Sequence, residues 1–240
     1  MNKFFMIVGA PKCGTTSLSN WLRQHPDICM ANPNEPRFFE WEYPYGLDWY
    51  FDKYYSSQEY YDKKFIGEAR TRNLLIPYVP ERIERTMGSD TKIIICTRDP
   101  VSRFFSEWKH WRSMRPGREI LSAAEAFELN KSTFDLDYFD SEERWSSQLD
   151  PMGGPYRRMY LEAGYPRYYG MKYYMPRFEV LYVDLSSIAG ESQIAYNRVL
   201  NFLGAEPHKP VFNHMRKGVN YAFELSLVAD VRDFYDNHSI

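Results

Sequence analysis

The sequence predicts an α/β fold, a three-layer sandwich with a central, mostly parallel β-sheet. Short apolar runs alternate along the chain with longer segments whose apolar residues recur at helical spacing. The run KIIIC at 92–96 is apolar throughout, as expected of a strand covered on both faces. The first apolar run is followed at once by a glycine turn and a helical pattern. This alternation is typical of a parallel sheet flanked by helices.

The N-terminal part should begin with a strand at 4–8 that a Gly-Ala-Pro turn closes. A helix follows and should end near His25, because Pro26 disfavours helical geometry at the residue before it. Prolines and asparagines predict irregular structure for the next segment, 29–46. Aromatic residues crowd the stretch 41–55, which is therefore either a buried flap or a wall that contacts a ligand.

The later elements follow the same alternation. A short strand at 65–67 precedes a helix that ends at Gly88, and the strand 92–96 precedes a helix with Asp99 as N-cap and Pro100 as first residue. The pattern of the second half predicts a helix at 165–175, a strand that starts at 178 and ends at Asp184, and helices at 194–203 and roughly 222–236.

The composition limits the classes of function. The 240 residues carry 30 Lys+Arg against 32 Asp+Glu, a net charge of −2, which argues against a nucleic-acid partner held by bulk electrostatics. Three cysteines at no metal-like spacing argue against a disulfide framework or a zinc site. The first apolar run is too short for a signal peptide or a membrane span, so we expect a soluble, cytoplasmic protein.

We expect a single domain over 1–240. The length suits one large core, and no repeat, linker or low-complexity tract interrupts it. The segment 114–164 is polar and contains a Pro- and Gly-rich turn, which indicates an excursion beside the functional site. No feature of the sequence specifies an oligomeric state.

The first strand leads into G-A-P-K-C-G-T-T, a P-loop-like strand-turn-helix. Gly9 and Gly14 keep the spacing of a phosphate-binding loop, and the backbone N–H groups of the turn and of the helix start can bind an anion. An NTPase loop has its lysine directly after the second glycine, whereas Lys12 lies inside the turn. Lys12 is therefore displaced toward the group that would be transferred.

The segment PKCGTTSL resembles the 5′-phosphosulfate-binding loop of sulfotransferases that use 3′-phosphoadenosine 5′-phosphosulfate (PAPS). A second segment, IIICTRDPVSRFFSEW, resembles the 3′-phosphate site of that family, which implies that Arg98 and Ser106 hold the ribose 3′-phosphate. The loop Arg216-Lys217-Gly218 matches the segment that closes over the same phosphate in many cytosolic members. The resemblance thus covers the cofactor side of the chain.

A fourth segment, NEPRFFE, resembles the region of the heparan-sulfate-type branch that carries the catalytic base, which implies this role for Glu35. Lys12 would stabilise the charge on the departing adenosine 3′,5′-bisphosphate, and His110 is the alternative base. No metal is implied, because a sulfuryl group carries less charge than a γ-phosphoryl group. The cofactor-binding residues implied by the resemblance are Pro11, Lys12, Cys13, Gly14, Thr15, Thr16, Ser17, Arg98, Ser106, Arg216, Lys217 and Gly218.

The sequence departs from the family pattern after the second predicted strand. Some glycosaminoglycan-type members have a lysine just after a glutamate there, and the stretch GEARTRNLL has Ala69 at the corresponding position. Either Arg70 or Arg72 replaces that lysine, or the acceptor lacks the charges that it serves.

The first interpretation is an enzyme that transfers a sulfuryl group from PAPS to a hydroxyl, or an amine, of a small-molecule or carbohydrate acceptor. A P-loop nucleotide or small-molecule kinase is the main alternative, because VLYVD could serve as a strand whose Asp184 holds Mg²⁺. A catalytically inactive module that keeps the nucleotide cradle is the third.

Overall fold

The computed structural model describes residues 3–55, 60–114, 121–134, 160–213 and 221–238. Within these ranges five strands form one sheet in the order β2-β3-β1-β4-β5, and each neighbouring pair is parallel. The strands are β1 (Lys3–Gly9), β2 (Ile28–Met30), β3 (Phe65–Ala69), β4 (Lys92–Thr97) and β5 (Val180–Asp184). The predicted α/β class with a parallel sheet is confirmed.

Helices flank the sheet. The α-helices of the described residues are α1 (Thr15–Leu22), α2 (Leu47–Tyr54), α3 (Val79–Met87), α4 (Pro100–Met114), α5 (Ala123–Ser132), α6 (Pro166–Tyr169), α7 (Leu185–Gly190), α8 (Ser192–Leu203) and α9 (Leu225–Asn237). Parallel crossovers are right-handed, so α1, which leads outward from β1 to β2, and α3, which leads back from β3 to β4, cover opposite faces.

The central strands form the core because their sequences are apolar on both faces. Residues 5–8 of β1 and 93–96 of β4 are all buried. On α3, Val79, Ile83 and Met87 are buried at a spacing of four, which is one helical face, and Gly88 ends the helix with φ 92°. The predicted strands at 4–8, 65–67 and 92–96 and the end of α3 at Gly88 are therefore confirmed, whereas α1 ends at Leu22, before the predicted end near His25.

The segment 29–46, predicted to be irregular, contains regular structure. The strand β2 pairs with β3 and starts just before the segment, and Phe38–Glu42 forms a π-helical turn followed by the 3₁₀ turn Tyr43–Tyr45. The prediction was wrong here because a strand of three residues is too short to show a periodic pattern.

The aromatic stretch 41–55 mainly fills the interior. Tyr50, Tyr54 and Tyr55 are buried, whereas Tyr45 is exposed. Of the two alternatives for this stretch, the buried flap describes α2 and the residue after it. Most of the predicted excursion at 114–164 lies outside the described residues.

The carboxyl ends of the parallel strands meet at one edge of the sheet. The backbone N–H of Ala10 donates to Cys96 O at 3.0 Å, and that of Arg70 donates to Ile7 O at 3.0 Å. The N–H of Ala31 donates to Gly67 O at 2.8 Å. The loops that follow β1, β2, β3 and β4 therefore begin side by side, and this is the edge at which parallel sheets bind ligands.

Candidate active site

The glycine loop joins β1 to α1. Gly14 precedes the helix with φ 86°, a left-handed conformation that favours glycine, and a Cβ added there would lie 2.6 Å from Leu185 Cδ1. No side chain caps the start of α1, and its first turn contains no acidic residue. An uncapped helix start of this kind is the arrangement that favours an anion, and the predicted phosphate-binding role of the loop stays a prediction.

Lys12 has a left-handed backbone, with φ 67°, in the middle of this loop. Its carbonyl oxygen accepts a hydrogen bond of 3.1 Å from Nη1 of Arg98. Arg98 follows β4 directly and is half-buried, and burial lowers its pKa below the usual value. The loop after β1 and the end of β4 are thus tied together by two residues that the sequence assigned to the same cofactor.

Cys13 packs into the interior beneath the loop. Its side chain is fully buried, and its Sγ lies 3.6 Å from the carbonyl oxygen of Pro11. Burial raises the pKa of the Cys13 thiol to about 12, although Arg103 and Arg98 act in the opposite direction. The thiol therefore stays protonated, and Cys13 acts as a small buried spacer.

The three hydroxyl residues after Gly14 differ in how exposed their side chains are to solvent. Thr15 and Ser17 are buried in the first turn of α1, and Thr16 is half-buried. The exposure therefore favours Thr16 over the other two hydroxyls as a group that reaches a ligand in the loop.

The helix α4 carries the other half of the predicted cofactor site. Asp99 Oδ1 accepts a hydrogen bond of 2.8 Å from Ser102 N, which confirms Asp99 as the N-cap. Ser106 is half-buried two turns into the helix. His110 lies one turn further along, with its ring 5.6 Å from that of Trp111.

Glu35 lies in the loop after β2, and its backbone is also left-handed, with φ 64°. Two donors reach its Oε2, the backbone N–H of Thr71 at 3.4 Å and Nη1 of Arg70 at 3.3 Å. The Glu35 side chain is 40% exposed. The carboxylate is therefore held on one oxygen while it remains accessible.

The 3₁₀ turn whose Thr71 binds Glu35 lies directly against the start of the glycine loop. A Cβ added at Gly9 would lie 2.6 Å from Leu74 Cβ and 3.1 Å from the carbonyl oxygen of Thr71. Gly9 is therefore needed for the close approach of the 3₁₀ turn Thr71–Leu75. Through Thr71, Glu35 and the beginning of the Lys12 loop share a neighbour.

Sequence reasoning did not identify two residues behind Glu35. Glu40 is buried and accepts hydrogen bonds from Arg70, and Arg82 of α3 donates to the carbonyl oxygens of Phe39 and Glu40. The one signal in the sequence was an acidic residue directly after the aromatic pair of NEPRFFE.

The carboxylate of Asp184 is already committed to the fold. Its Oδ1 accepts hydrogen bonds from the backbone N–H and the hydroxyl of Ser186, at 2.8 and 2.6 Å, and its Oδ2 accepts one from Thr97 Oγ1 at 3.0 Å. Asp184 is thus the N-cap of α7. This arrangement argues against the kinase alternative, in which Asp184 would hold Mg²⁺.

Some predicted features cannot be placed. Arg216, Lys217 and Gly218 lie outside the described residues.

Within the ranges that are described, no group of three or more His, Cys, Asp or Glu side chains could hold a metal ion. No helix in the same ranges is long and apolar enough to cross a membrane.

The donor set at this edge fits a phosphosulfate. It comprises uncapped helical N–H groups, the lysine of the glycine loop and the guanidinium of Arg98. All of these are donors or cations, which anionic oxygens prefer. A parallel sheet with such a loop at the carboxyl ends of its strands is typical of proteins that bind anionic groups.

Comparison with known protein families and with related proteins identifies the family. A model of the sulfotransferase domain matches residues 3–222, and the chain belongs to this family. Human heparan sulfate glucosamine 3-O-sulfotransferase 3B1 is 37% identical over 111 residues, which are 46% of this chain and 27% of that protein. The membrane-associated sulfotransferase kil1 of Dictyostelium discoideum is 34% identical over 107 residues, 43% of this chain and 22% of that protein. The matched segment thus spans about a quarter of the length of these relatives.

Solved sulfotransferase structures share the fold. The sulfotransferase from Alicyclobacillus acidocaldarius superposes with a TM-score of 0.69 at 22% identity, covering 99% of this chain and 92% of that chain. The sulfotransferase domain from the curacin biosynthetic pathway gives a TM-score of 0.51 at 12% identity, covering 95% and 83%. The resemblance to sulfotransferases found in the sequence motifs is confirmed.

Proposed function

We propose that the protein transfers a sulfuryl group from PAPS to a hydroxyl, or an amine, of a small-molecule or carbohydrate acceptor. The observation that carries this proposal is that Thr71 contacts both Glu35 and the start of the glycine loop. Thr71 donates its backbone N–H to Glu35 and packs its carbonyl oxygen near Gly9. A carboxylate and a glycine loop with an uncapped helix start therefore lie at one edge of the sheet, in a chain of the sulfotransferase family, and this supports a base beside an anionic donor.

The donor would supply an activated sulfuryl group on a stable leaving group, adenosine 3′,5′-bisphosphate. Glu35 takes the proton that the acceptor oxygen loses as its new bond to sulfur forms. Lys12 and the amides at the start of α1 stabilise the negative charge left on the bisphosphate as the old sulfur–oxygen bond breaks. Arg98 and Ser106 bind the ribose 3′-phosphate and fix the donor in the loop.

The comparisons support a carbohydrate among the acceptor classes, because several similar proteins are named as sulfotransferases of heparan sulfate glucosamine. Ala69 stands where some members of that branch have a lysine, so we do not extend the proposal to heparan sulfate itself.

The proposal is tested with ³⁵S-labelled PAPS and a panel of monosaccharides, heparan-sulfate-derived oligosaccharides and simple phenols, in EDTA. We expect transfer to at least one acceptor class. Lys12→Ala should slow transfer by about two to three orders of magnitude, the scale measured for loss of one preorganised charge-stabilising donor. Lys64→Ala is the matched control, because Lys64 is an exposed partner of Asp27 at the opposite edge of the sheet.

Two results would contradict the proposal, and a third would contradict the role of Lys12. Phosphate transfer from MgATP in place of sulfuryl transfer would make the protein a kinase. Tight bisphosphate binding without transfer to any acceptor would make it an inactive nucleotide-binding module. Unchanged turnover of Lys12→Ala would remove Lys12 from the chemistry.

A further inference from the structure

Three charged side chains connect the loops after β2 and β3. Arg70 binds both oxygens of Glu40, from Nε to Oε1 and from Nη2 to Oε2, the latter at 3.0 Å. Its remaining nitrogen, Nη1, donates to Glu35 Oε2 at 3.3 Å. The whole guanidinium fork is therefore shared between two carboxylates, one buried and one accessible.

The buried end of this arrangement is fixed. Glu40 is 2% exposed, and its backbone carbonyl is bound by Arg82 of α3. Burial by itself would lower the pKa of Arg70, but Glu40, and then Glu35, outweigh it and raise the pKa above its usual value. Arg70 is thus a permanent cation whose direction is set by a buried anion.

The accessible carboxylate of this arrangement is Glu35, the proposed base, and its two oxygens differ in their hydrogen bonds. Both hydrogen bonds to Glu35, from Arg70 and from the Thr71 backbone, end on Oε2. Oε1 receives no hydrogen bond from the residues that the structure describes. One oxygen of Glu35 is anchored, and the other is the atom at which a proton can be accepted.

We infer that Arg70 is a positioning residue, which orients Glu35 so that Oε1 meets the acceptor proton. The inference rests on the proposed function of Glu35. Of the two arginines left by the sequence, Arg70 contacts Glu35, and Arg72 lies over the ring of Trp41, 5.9 Å from its centroid. A lysine at 70 could pair with Glu40 as a point charge, but it lacks the fork that reaches a second carboxylate.

The test is a double-mutant cycle on steady-state sulfuryl transfer. Glu35→Gln should abolish most turnover and spare bisphosphate affinity. Arg70→Lys keeps a cation against Glu40, so we expect the fold and the KM for PAPS to be unchanged while kcat falls about ten- to a hundredfold, the scale of a misplaced catalytic group. In the Glu35→Gln background, Arg70→Lys should cause no further loss, because Arg70 acts only through Glu35.

Each outcome is informative. Unchanged kcat in Arg70→Lys, or a loss that is equally large in the Glu35→Gln background, would overturn the positioning role while the base assignment stands. Near-normal turnover of Glu35→Gln would instead overturn the base assignment, and the role of Arg70 with it. Arg177→Lys is the matched control, because Arg177 forms a half-exposed pair with Glu84.

A second variant covers the case in which Arg70→Lys reduces the folded fraction, which thermal unfolding would show. Glu40→Gln leaves Arg70 in place but removes the charge that directs it. It should lower kcat in the native background and not in the Glu35→Gln background. The same loss in both backgrounds would overturn the inference.

Discussion

Lys12 and Glu35, to which we assign the chemistry, share an uncommon backbone conformation. Among the described residues they are the non-glycine positions with positive φ, 67° and 64°. Such a conformation costs on the order of 1 kcal/mol and persists where neighbours fix it. Arg98 binds the carbonyl of Lys12, and Thr71 binds the carboxylate of Glu35. Both residues are thus held by contacts from another strand end.

A buried acid lies behind this site. Tyr50 Oη lies 2.5 Å from Glu68 Oε2 and 3.0 Å from Tyr55 Oη, which in turn lies 3.1 Å from Gly67 O. The Tyr50 hydroxyl donates to Glu68, and the Tyr55 hydroxyl donates to the carbonyl oxygen of Gly67. Burial raises the pKa of Glu68 to about 8. Glu68 is therefore mostly neutral at pH 7, although the hydrogen bonds from Tyr50 and Asn73 act in the opposite direction.

The Glu68 carboxyl should therefore make stability depend on pH. Its pKa is about 8 in the folded protein and near 4.5 when unfolded, so its stabilisation is complete below about pH 4.5 and is lost as pH rises to about 8. The slope for one proton is about 1.4 kcal/mol per pH unit. Urea unfolding between pH 5 and 8 should show that Glu68→Gln lacks this slope, whereas the exposed control Glu81→Gln keeps it. Identical slopes for Glu68→Gln and the native protein would contradict the neutral acid.

At the scale of elements, the sequence predicted those strands, turns and helix starts whose signals lie within a few neighbouring residues. The strand β4, the glycine loop and the start of α4 were recognisable because apolar runs, glycines and an Asp-Pro N-cap act within a few residues. The strand β2 was missed because it is short and gains its stability from β3. The pair of Glu40 and Arg70 was missed because its members are 30 residues apart and meet only after the sheet forms.

The N-cap of α4 should contribute measurably to the free energy of unfolding. Asp99→Ala leaves the Ser102 N–H without its partner and should cost about 1 kcal/mol of unfolding free energy, or about 2–4 °C in Tm for a chain of this size. Asp99→Asn keeps a capping oxygen and should remain close to the native value. Thermal unfolding of both variants checks this, and equal losses for Ala and Asn would show that Asp99 does not act as a cap.

At the scale of the whole molecule, the parallel sheet brings distant segments to one edge. Lys12 and Arg98 are 86 residues apart, and Glu35 and Arg70 are 35 apart, yet each pair is in hydrogen-bond contact. The cofactor side could be predicted because its motifs are contiguous in sequence. The contacts around Glu35 could not, because they depend on which strands are neighbours.

The central claim is that the edge formed by β1 and β4 binds the adenosine bisphosphate portion of PAPS. Calorimetric titration with adenosine 3′,5′-bisphosphate in EDTA tests it most directly, with a parallel titration of MgATP in a buffer that contains Mg²⁺ and no EDTA, and with Arg98→Ala as the variant. We predict that the bisphosphate binds without metal and in preference to MgATP, and that Arg98→Ala weakens its binding. Preference for MgATP, or no binding of either nucleotide, would contradict the account.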